Sequence, residues 1–290
     1  MPTPPSCLLV RAAPLLLCLG LLSSPAMAAD EPVTTQPRWE AGLGVGLLSM
    51  ADYPGSDKQK GYVLPVPYLV YRGDTIQADR NGLRGKLFDS DRLEVQLSLA
   101  ASAPVRSNES AARQGMPNLD PTFEFGPEVR WHLYKSDDAS NRLDLRLPIR
   151  AVYAADRLHV HAIGAVAAPA LNLDVRDAIG NGWNLGINTG PLFGSRAYHT
   201  YYYGVDQVHA TTTRPAYEAG GGYSGLQFTA SLSRRSGNYW FGGFVRAQNM
   251  RGAVYHDSPL LKKDTSFAAG IAIAYVFAKS SEQVSVKLSD

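Results

Sequence analysis

The segment Thr122–Tyr134, which reads TFEFGPEVRWHLY, constrains the fold more than any other stretch of the chain. Every second residue from Phe123 to Leu133 is apolar, and the residues between them are charged, polar or glycine. A repeat of two residues is the pattern of a β-strand whose two faces meet different surroundings. The apolar face would be the core of a soluble sandwich or the lipid-facing side of a membrane barrel, so other segments must decide between these folds.

The same alternation recurs along most of the remaining chain. After residue 29 the sequence shows no helical periodicity of useful length, and no segment approaches the roughly 20 apolar residues of a membrane helix. The chain therefore reads as one all-β domain. The further predicted strands are Trp39–Met50, Tyr62–Arg72, Thr75–Arg80, Gly82–Phe88, Leu93–Ala101, Leu143–Val152, Leu158–Val175, Trp183–Gly194, Ala216–Ser233, Asn238–Gln248 and Thr265–Phe277.

The connections between these strands favour the membrane barrel. If the N-terminus is periplasmic, the longer polar connections all fall at the outer end, which is typical of outer-membrane barrels. They are Ala51–Gly61, Ser102–Asp120, Ser195–Pro215 and Asn249–Asp264. Aromatic residues near the opposite end, including Trp39, Trp131, Trp183 and Trp240, indicate an interfacial girdle. The sequence predicts an antiparallel transmembrane β-barrel of outer-membrane type, with about twelve strands over residues 39–277.

The N-terminal segment has the features of a Sec signal peptide. A short apolar run, Leu15–Leu22, follows Arg11 and precedes the small-x-small pattern of Ala26–Ala28. We expect residues 1–28 to be removed on export to the outer membrane of a Gram-negative cell. Residues 29–38 would then form a periplasmic segment. The polar tail 278–290 would be either a disordered extension or a loosely held strand.

Composition excludes several classes of function. Both cysteines, Cys7 and Cys18, lie in the predicted signal peptide, which leaves no disulfide, thiol catalysis or thiolate metal site in the mature chain. The formal net charge of +2 gives no electrostatic footprint for nucleic acid. We expect no cofactor and no metal, and we expect the barrel to be surrounded by outer-membrane lipid and lipopolysaccharide.

Charged residues on the non-apolar faces of two successive strands are the first candidate site. A histidine beside a carboxylate could form part of a hydrolase triad. Charged lumens are, however, normal in such barrels. The spacing therefore favours a ladder of ion pairs in the lumen, with Glu124 and Glu128 paired to Arg146 and Arg150. The ladder residues are Glu124, Glu128, Arg130, His132, Asp144, Arg146 and Arg150.

A tyrosine-rich stretch of the long third outer loop is the second candidate. Tyrosine offers a large contact area and a hydroxyl at low entropic cost, so the stretch could recognise a ligand. The same tyrosines could instead fold inward and pack as a plug, and the sequence leaves both arrangements open. The residues are Tyr198, His199, Tyr201, Tyr202 and Tyr203. A separate pair, His159 and His161, lacks a third metal ligand and is more typical of an exposed strand end.

Several local patterns, in their order and spacing, resemble the MltA-interacting protein (MipA/OmpV) family of Gram-negative outer-membrane proteins. The resemblance covers about residues 39–277. The patterns are Asp52–Asp57 (DYPGSD), Leu64–Tyr68 (LPVPY) leading to Tyr71-Arg72, Gly115–Leu119 before Phe123–Pro127, Tyr201–Val205 (YYYGV), Tyr217–Gly220 (YEAG) and the closing Tyr275–Phe277 (YVF). Members usually stop at the terminal aromatic residue, whereas this chain continues to Asp290.

This resemblance implies a non-enzymatic scaffold. It would link a murein-cleaving lytic transglycosylase to a murein-synthesising penicillin-binding protein at the inner face of the outer membrane. Two other functions stay open. The paired lumen charges would suit a narrow channel for small solutes, and the tyrosine-rich loop would suit a surface adhesin or receptor.

Overall fold

A computed structural model describes residues 33–73, 76–79, 82–90, 92–156 and 159–287. The predicted signal peptide, residues 1–28, lies outside the described residues. The strands are β1 (Val33–Pro37), β2 (Trp39–Ala51), β3 (Gln59–Arg72), β4 (Ile76–Asp79), β5 (Gly82–Asp89), β6 (Leu93–Ser102), β7 (Thr122–Lys135), β8 (Asn141–Ala155), β9 (Val160–Ala167), β10 (Ala170–Val175), β11 (Trp183–Gly194), β12 (Gly222–Ser236), β13 (Tyr239–Asn249), β14 (Thr265–Lys279) and β15 (Gln283–Lys287). Helix α1 spans Arg196–Tyr203, and the 3-10 turns are Ser107–Glu109, Ala111–Arg113 and Gln207–His209.

The strands from β2 to β14 form one antiparallel sheet that closes on itself. The last strand of the sheet, β14, pairs with the first, β2, and this places Ala272 opposite Gly46. Strands β9 and β10 lie end to end, and both pair with β8 and with β11. Because these two strands share one position, the thirteen-stranded sheet is a barrel with twelve positions. The predicted fold class is confirmed.

Two predicted strands differ from the observed ones. The prediction ran a single strand over Leu158–Val175, but the chain breaks between β9 and β10 because Pro169 has no backbone N–H for the ladder. The predicted strand Ala216–Ser233 begins only at Gly222. The residues before it belong to a loop, in which the carbonyl oxygen of Gly220 accepts a hydrogen bond from the ring of His199.

The two faces of the barrel wall differ as the alternation predicted. Large apolar side chains point outward and are exposed; Val63, for example, is 71% exposed. Such an apolar belt meets lipid, because a soluble protein rarely exposes apolar patches of this extent. The prediction that Trp240 belongs to the girdle is wrong. Its neighbours Tyr239 and Phe241 occupy the outward side of β13, so Trp240 faces the lumen. None of the helices among the described residues is long and apolar enough to cross a membrane.

The two ends of the barrel carry different connections. At the loop end, long connections lie between β2 and β3, β6 and β7, β11 and β12, and β13 and β14. At the terminal end, short turns join the strands, and the first strand of the barrel, β2, begins there while the last, β14, ends there. The long connections coincide with those that the sequence assigned to the outer side.

The described segments that precede and follow the barrel form a small sheet of their own at the terminal end. Strands β1 and β15 pair antiparallel, with Thr35 opposite Ser285. An ion pair of 2.6 Å between Arg38 Nη1 and Glu282 Oε1 lies at the point where this sheet joins the barrel. Of the two arrangements considered for the tail, the structure therefore has a strand over Gln283–Lys287.

Close approach of the closing strands requires glycine at position 44. A Cβ atom added to Gly44 would overlap the backbone of Ile273 and Ala274 on β14. We predict that Gly44→Ala lowers the free energy of unfolding of the barrel by about 1–3 kcal/mol, because backbone rather than a flexible side chain would have to move. Urea titration of the protein refolded into lipid vesicles measures this effect.

Gly61→Ala is the matched control, because a Cβ atom on Gly61 of β3 meets nothing within 4 Å. Equal losses of stability for the two variants would contradict the close approach of β2 and β14.

Candidate functional site

The ladder residues identified from sequence all point into the barrel from β7 and β8. They occupy alternate positions of these strands, and the register places Arg130 opposite Arg146 and His132 opposite Asp144. The structure thus brings together the side chains that the spacing placed on one face.

Glu128 forms the best-defined ion pair of the lumen. Its carboxylate accepts two hydrogen bonds from Arg146, from Nε at 2.7 Å and from Nη2 at 2.9 Å. The side-chain amide of Gln96 donates a third hydrogen bond, at 2.9 Å, to Glu128 Oε1. Glu128 is fully buried, so this two-fold pairing compensates a charge that has lost its water.

Asp144 is the second centre of the ladder. Its carboxylate accepts a hydrogen bond of 2.8 Å from His132 Nδ1 and lies 3.1 Å from Arg142 Nε. Arg142 Nη2 lies 3.6 Å from Asp174 on β10, which extends the network to a third strand. Because Arg130 lies 3.4 Å from Glu94, 3.9 Å from Glu128 and 3.9 Å from Asp144, the two centres form one network.

Towards the loop end, Glu124 and Arg150 form the last pair of the ladder. Arg150 Nε donates a hydrogen bond of 2.8 Å to Glu124 Oε2, and its Nη1 lies 3.4 Å from Ser98 Oγ on β6. The ladder therefore runs along the lumen wall from the loop end to the terminal end and links β6, β7, β8 and β10.

Sequence reasoning missed several members of this network. Glu94 and Gln96 alternate with apolar residues in β6 and could have been found by aligning that strand with β7. Arg142 preceded the predicted start of its strand by one residue, because β8 begins at Asn141 rather than Leu143. Asp174 could not be placed beside Arg142 without knowing that β10 pairs with β8.

The long connections pack together as a plug in the loop end of the lumen. The plug consists of α1 and the loop residues around it, and it contacts the inward-facing Val152 and Ala154 of β8. Helix α1 begins after Ser195, whose hydroxyl oxygen caps the N–H of Tyr198. The inward arrangement of the tyrosine-rich stretch is thus the one that the structure adopts.

Aromatic side chains form the interior of the plug. The rings of Tyr203 and Tyr255 stack with centroids 3.7 Å apart, and Tyr53 meets the Tyr203 ring edge-on at 6.1 Å. Burial raises the pKa of Tyr53 and of Tyr255 to about 12. Their hydroxyls donate to the carbonyl oxygens of Leu260 and Ser224.

The remaining tyrosines of the stretch bind the plug to the barrel wall. The hydroxyl of Tyr202 lies 3.4 Å from Thr122 Oγ1 on β7, and the hydroxyl of Tyr201 accepts a hydrogen bond from the N–H of Asp120 at 2.8 Å. The rings of Tyr198 and Tyr202 meet edge to face, with their centroids 5.1 Å apart.

Buried polar groups hold the plug to the neighbouring loops. Arg113 donates to the carbonyl oxygens of Tyr202 and Pro117 and lies over the ring of Tyr53. Burial lowers the pKa of Arg113. Such hydrogen bonds are expensive to lose, because each would leave a buried polar group unpaired.

His199 occupies a fully buried position in α1. Its Nδ1 donates to the carbonyl oxygen of Gly220 at 2.7 Å, which leaves Nε2 to accept from the hydroxyl of Ser224 at 2.6 Å. Burial lowers the pKa of His199, so the ring stays neutral at pH 7. Serine and histidine meet here as in a hydrolase, but a carbonyl rather than a carboxylate orients the ring, and both residues are buried.

The His159–His161 pair lies at the loop end of β9. The side chain of His159 is 80% exposed, and its nearest acidic partner is Asp156 at 3.8 Å. Within the described part of the chain, no group of three or more histidine, cysteine or acidic side chains could hold a metal ion.

The buried neutral histidine makes the plug sensitive to acid. Because the pKa of His199 is lowered below its ordinary 6.5, the opened plug binds a proton in a pH range where the closed plug does not. The free energy that keeps the plug closed should therefore fall as the pH drops below about 6.5. Hydrogen exchange of the α1 amides at pH 7.5 and 5.5, corrected for intrinsic rates, should show faster opening at the lower pH.

His199→Gln keeps a neutral side chain at both pH values and should abolish this pH dependence. His159→Gln removes an exposed histidine and should leave it unchanged. The same pH dependence in His199→Gln would assign the effect to another group.

Removing one partner of the buried pair should cost much more than removing an exposed one. We predict that Glu128→Ala lowers the free energy of unfolding by about 3–5 kcal/mol, because Arg146 and Gln96 lose their acceptor. Arg251→Ala, which breaks an exposed pair with Asp264 at 3.2 Å, should cost far less, because solvent screens exposed ion pairs. Urea unfolding from lipid vesicles measures both effects.

The double variant Glu128→Ala/Arg146→Ala should be less destabilised than the sum of the two single variants. Additive losses would mean that the two side chains do not interact in the membrane.

Known proteins resemble the chain both in sequence, through a family model, and in structure. The family model described as "MltA-interacting protein MipA" matches residues 43–277. No curated protein matches the chain significantly. A solved structure titled "Bacterial polysaccharide outer membrane secretin" covers 82% of this chain and 99% of its own, with 10% identity and a TM-score of 0.41.

Two further solved structures are similar over most of the chain. OmpT (in-vitro folded), an outer membrane protein of Vibrio cholerae, is 7% identical, with 86% of this chain and 100% of its own covered and a TM-score of 0.35. The CymD monoaromatic hydrocarbon channel is 12% identical, with 83% and 89% covered and a TM-score of 0.28. These similarities are too distant to transfer a function.

The family match and the barrel geometry concern the same part of the molecule. Residues 43–277 reach from β2, the first strand of the barrel, to β14, the last. A closed barrel with an apolar exterior is the form in which strands cross the outer membrane. The chain is an outer-membrane β-barrel and belongs to the MltA-interacting protein MipA family.

Proposed function

We propose that this barrel is a non-enzymatic scaffold for murein-processing enzymes. It binds a murein-cleaving lytic transglycosylase at the periplasmic face of the outer membrane and links it to a murein-synthesising penicillin-binding protein. The family description, an MltA-interacting protein, supports a partner of this kind. Export through the Sec pathway, with removal of residues 1–28, and contact of the barrel with lipopolysaccharide belong to the same proposal.

The ordered surface at the terminal end is the observation that carries this proposal. Short turns of outer-membrane barrels face the periplasm, so this end meets periplasmic partners. We name as the terminal-end surface the turns Lys135–Asn141 and Arg176–Gly182 together with the β1–β15 sheet. The N–H of Arg176 donates to the carbonyl oxygen of Ser140 at 2.7 Å, which joins the two turns side by side.

Internal hydrogen bonds fix the shape of both turns. The carboxylate of Asp138 accepts hydrogen bonds from the Ser136 hydroxyl at 2.6 Å and from the Ser140 N–H at 3.0 Å. The Ser136 hydroxyl is the main reason that the pKa of Asp138 is lowered to about 2. In the second turn, Asp177 Oδ1 accepts from the N–H of Gly182 at 2.6 Å. A preformed surface loses little conformational entropy when it binds a partner.

The β1–β15 sheet adds a second kind of contact. A two-stranded sheet has an outer edge on each strand, and a partner strand can extend such an edge by main-chain hydrogen bonds. The turns considered from sequence alone are small for a stable interface. The added sheet enlarges the surface, and its side chains include the exposed Gln283 and Ser285.

The interior of the barrel favours a scaffold over a channel. The plug packs against the inward face of β8 at the loop end, and the ladder fills one wall of the lumen with mutually paired charges. A solute would have to displace both. The plug also argues against an adhesin that uses the tyrosine-rich stretch, because Tyr202 and Tyr203 are buried within it.

The candidate acid–base groups support a non-enzymatic role. The His199–Ser224 pair is closed off inside the plug. In the lumen, the Asp144 carboxylate accepts a hydrogen bond from His132 Nδ1 and also lies beside Arg130 and Arg142, as in a structural ion-pair network.

Site-directed photo-cross-linking in cells tests the proposal. A photoreactive residue replaces Ile179, which is 67% exposed on the terminal-end surface, or Val208, which is 84% exposed at the loop end. The Ile179 position should capture a lytic transglycosylase, directly or together with a penicillin-binding protein, while the matched Val208 position should not.

Capture of only barrel-assembly factors and porins at Ile179 would overturn the scaffold. In that case, step-like ion conductance of the refolded protein in planar bilayers would make the channel the leading function.

A further inference from the structure

The barrel wall is incomplete between β3 and β6. The hairpin β4–β5 that separates them is short. In the part of the chain that the structure describes, β3 pairs with β4 at Tyr71 and Arg72, and β5 pairs with β6 from Lys86 to Asp89. Among the described residues, no strand pairs with the Gln59–Pro67 part of β3 on the side away from β2. The same holds for the Leu97–Ser102 part of β6 on the side away from β7. We call this gap the wall opening.

Two prolines lower the number of unpaired N–H groups at the edge of β3. In the pairing of β3 with β2, the even-numbered residues of both strands exchange the hydrogen bonds. The N–H of Arg72 donates to the carbonyl oxygen of Arg38, and the N–H of Asp52 donates to the carbonyl oxygen of Lys58. The N–H groups of odd-numbered residues therefore point into the wall opening. Pro65 and Pro67 occupy two of these positions and have no N–H to leave unsatisfied.

Apolar side chains surround the wall opening on the outside. Val63 and Leu69 of β3 and Leu97 and Leu99 of β6 point outward and are exposed, so the opening lies within the lipid-facing belt. On the loop-end side, Lys60 Nζ of β3 lies 2.8 Å from Glu109 Oε2, so the connection between β6 and β7 reaches across to β3 there. The opening is thus a window onto the bilayer rather than onto the aqueous loops.

A cavity of about 370 Å³ lies in the lumen directly behind β3. Apolar side chains of β3 and β13, together with small residues of β2 and β14, form one side of it, and polar residues of β10, β11 and β12 form the other. The inward-facing lining includes Leu48, Leu64, Val66, Trp240, Phe244 and Ala272 on the apolar side. Asp174, Asn184, Ser231 and Ser233 lie on the polar side. Volumes of this order are typical of sites for small ligands.

We propose that the wall opening admits a single-chain amphiphile from the bilayer into this cavity. The alkyl chain lies against Leu64, Val66 and Phe244, where burial of its methylenes drives binding. An uncharged, hydroxyl-bearing head group donates a hydrogen bond to the Asp174 carboxylate on the polar side. A carboxylate head is disfavoured there, because like charges repel. This site is separate from the scaffold surface and does not depend on it.

Trp240 provides an internal reporter for the site. Of the four tryptophans of the chain, Trp39, Trp131 and Trp183 lie on the outward face, whereas Trp240 lines the cavity. The full mature chain with these three replaced by phenylalanine is reconstituted in lipid nanodiscs. Dibrominated stearyl alcohol, which quenches tryptophan at short range, is then added to the discs. Albumin in the aqueous phase binds any free alcohol, so the probe reaches Trp240 only through the bilayer.

We expect saturable quenching of Trp240, to less than half of the initial intensity. Ala272→Phe and Val66→Phe fill the cavity and should each reduce the quenching at least five-fold. Ala268→Phe, at an inward position of β14 outside the cavity lining, should leave it unchanged. Heat-dependent mobility on detergent gels identifies variants that have folded, and the two filling variants serve as alternatives if one fails to fold.

The dibrominated fatty acid should quench more weakly than the alcohol at pH 8, and Asp174→Asn should reduce this difference. Equal quenching by acid and alcohol would overturn the head-group assignment. Absence of quenching, or quenching that both filling variants leave intact, would overturn the site.

Discussion

The pairing of β14 with β2 is the constraint on which the rest of the molecule depends. In lipid, backbone N–H and C=O groups need partners within the protein, and a sheet of strands supplies most of them by closing. Closure gives each strand one face towards lipid and one towards the lumen, and this imposes the strict alternation of the sequence. Glycines such as Gly44 allow the closing strands to approach closely, since any larger side chain would overlap β14.

Closure also creates an interior that has to be filled, and the two sides of the lumen are filled differently. One wall carries the ladder, in which Glu128, Arg146, Arg130 and Asp144 compensate one another at positions that water reaches poorly. The opposite wall, from β13 through β14 to β2, carries glycine, alanine and large apolar residues around a cavity. The plug covers this two-sided interior at the loop end, and β1 pairs with β15 outside it at the other end.

The strand pattern and part of the ladder could be read from the sequence. Strands β7 and β8 alternate so regularly that Glu124 and Glu128 could be assigned to the same face as Arg146 and Arg150 of the neighbouring strand. The break at Pro169 was missed because the alternation continues on both sides of the proline. The girdle prediction for Trp240 rests on its aromatic side chain and its place near the periplasmic end of a strand, but its parity within β13 turns it inward.

The sequence by itself determined the barrel, its lipid-facing side and the charged character of one lumen face, because a repeat of two residues is a local property that each strand carries alone. Only the tertiary structure decided which way the tyrosine-rich stretch turns, that β10 brings Asp174 to Arg142, and that β1 and β15 meet in one sheet. These contacts join residues far apart in the chain. Their formation depends on the packing of several loops and strands at once, which no single segment encodes.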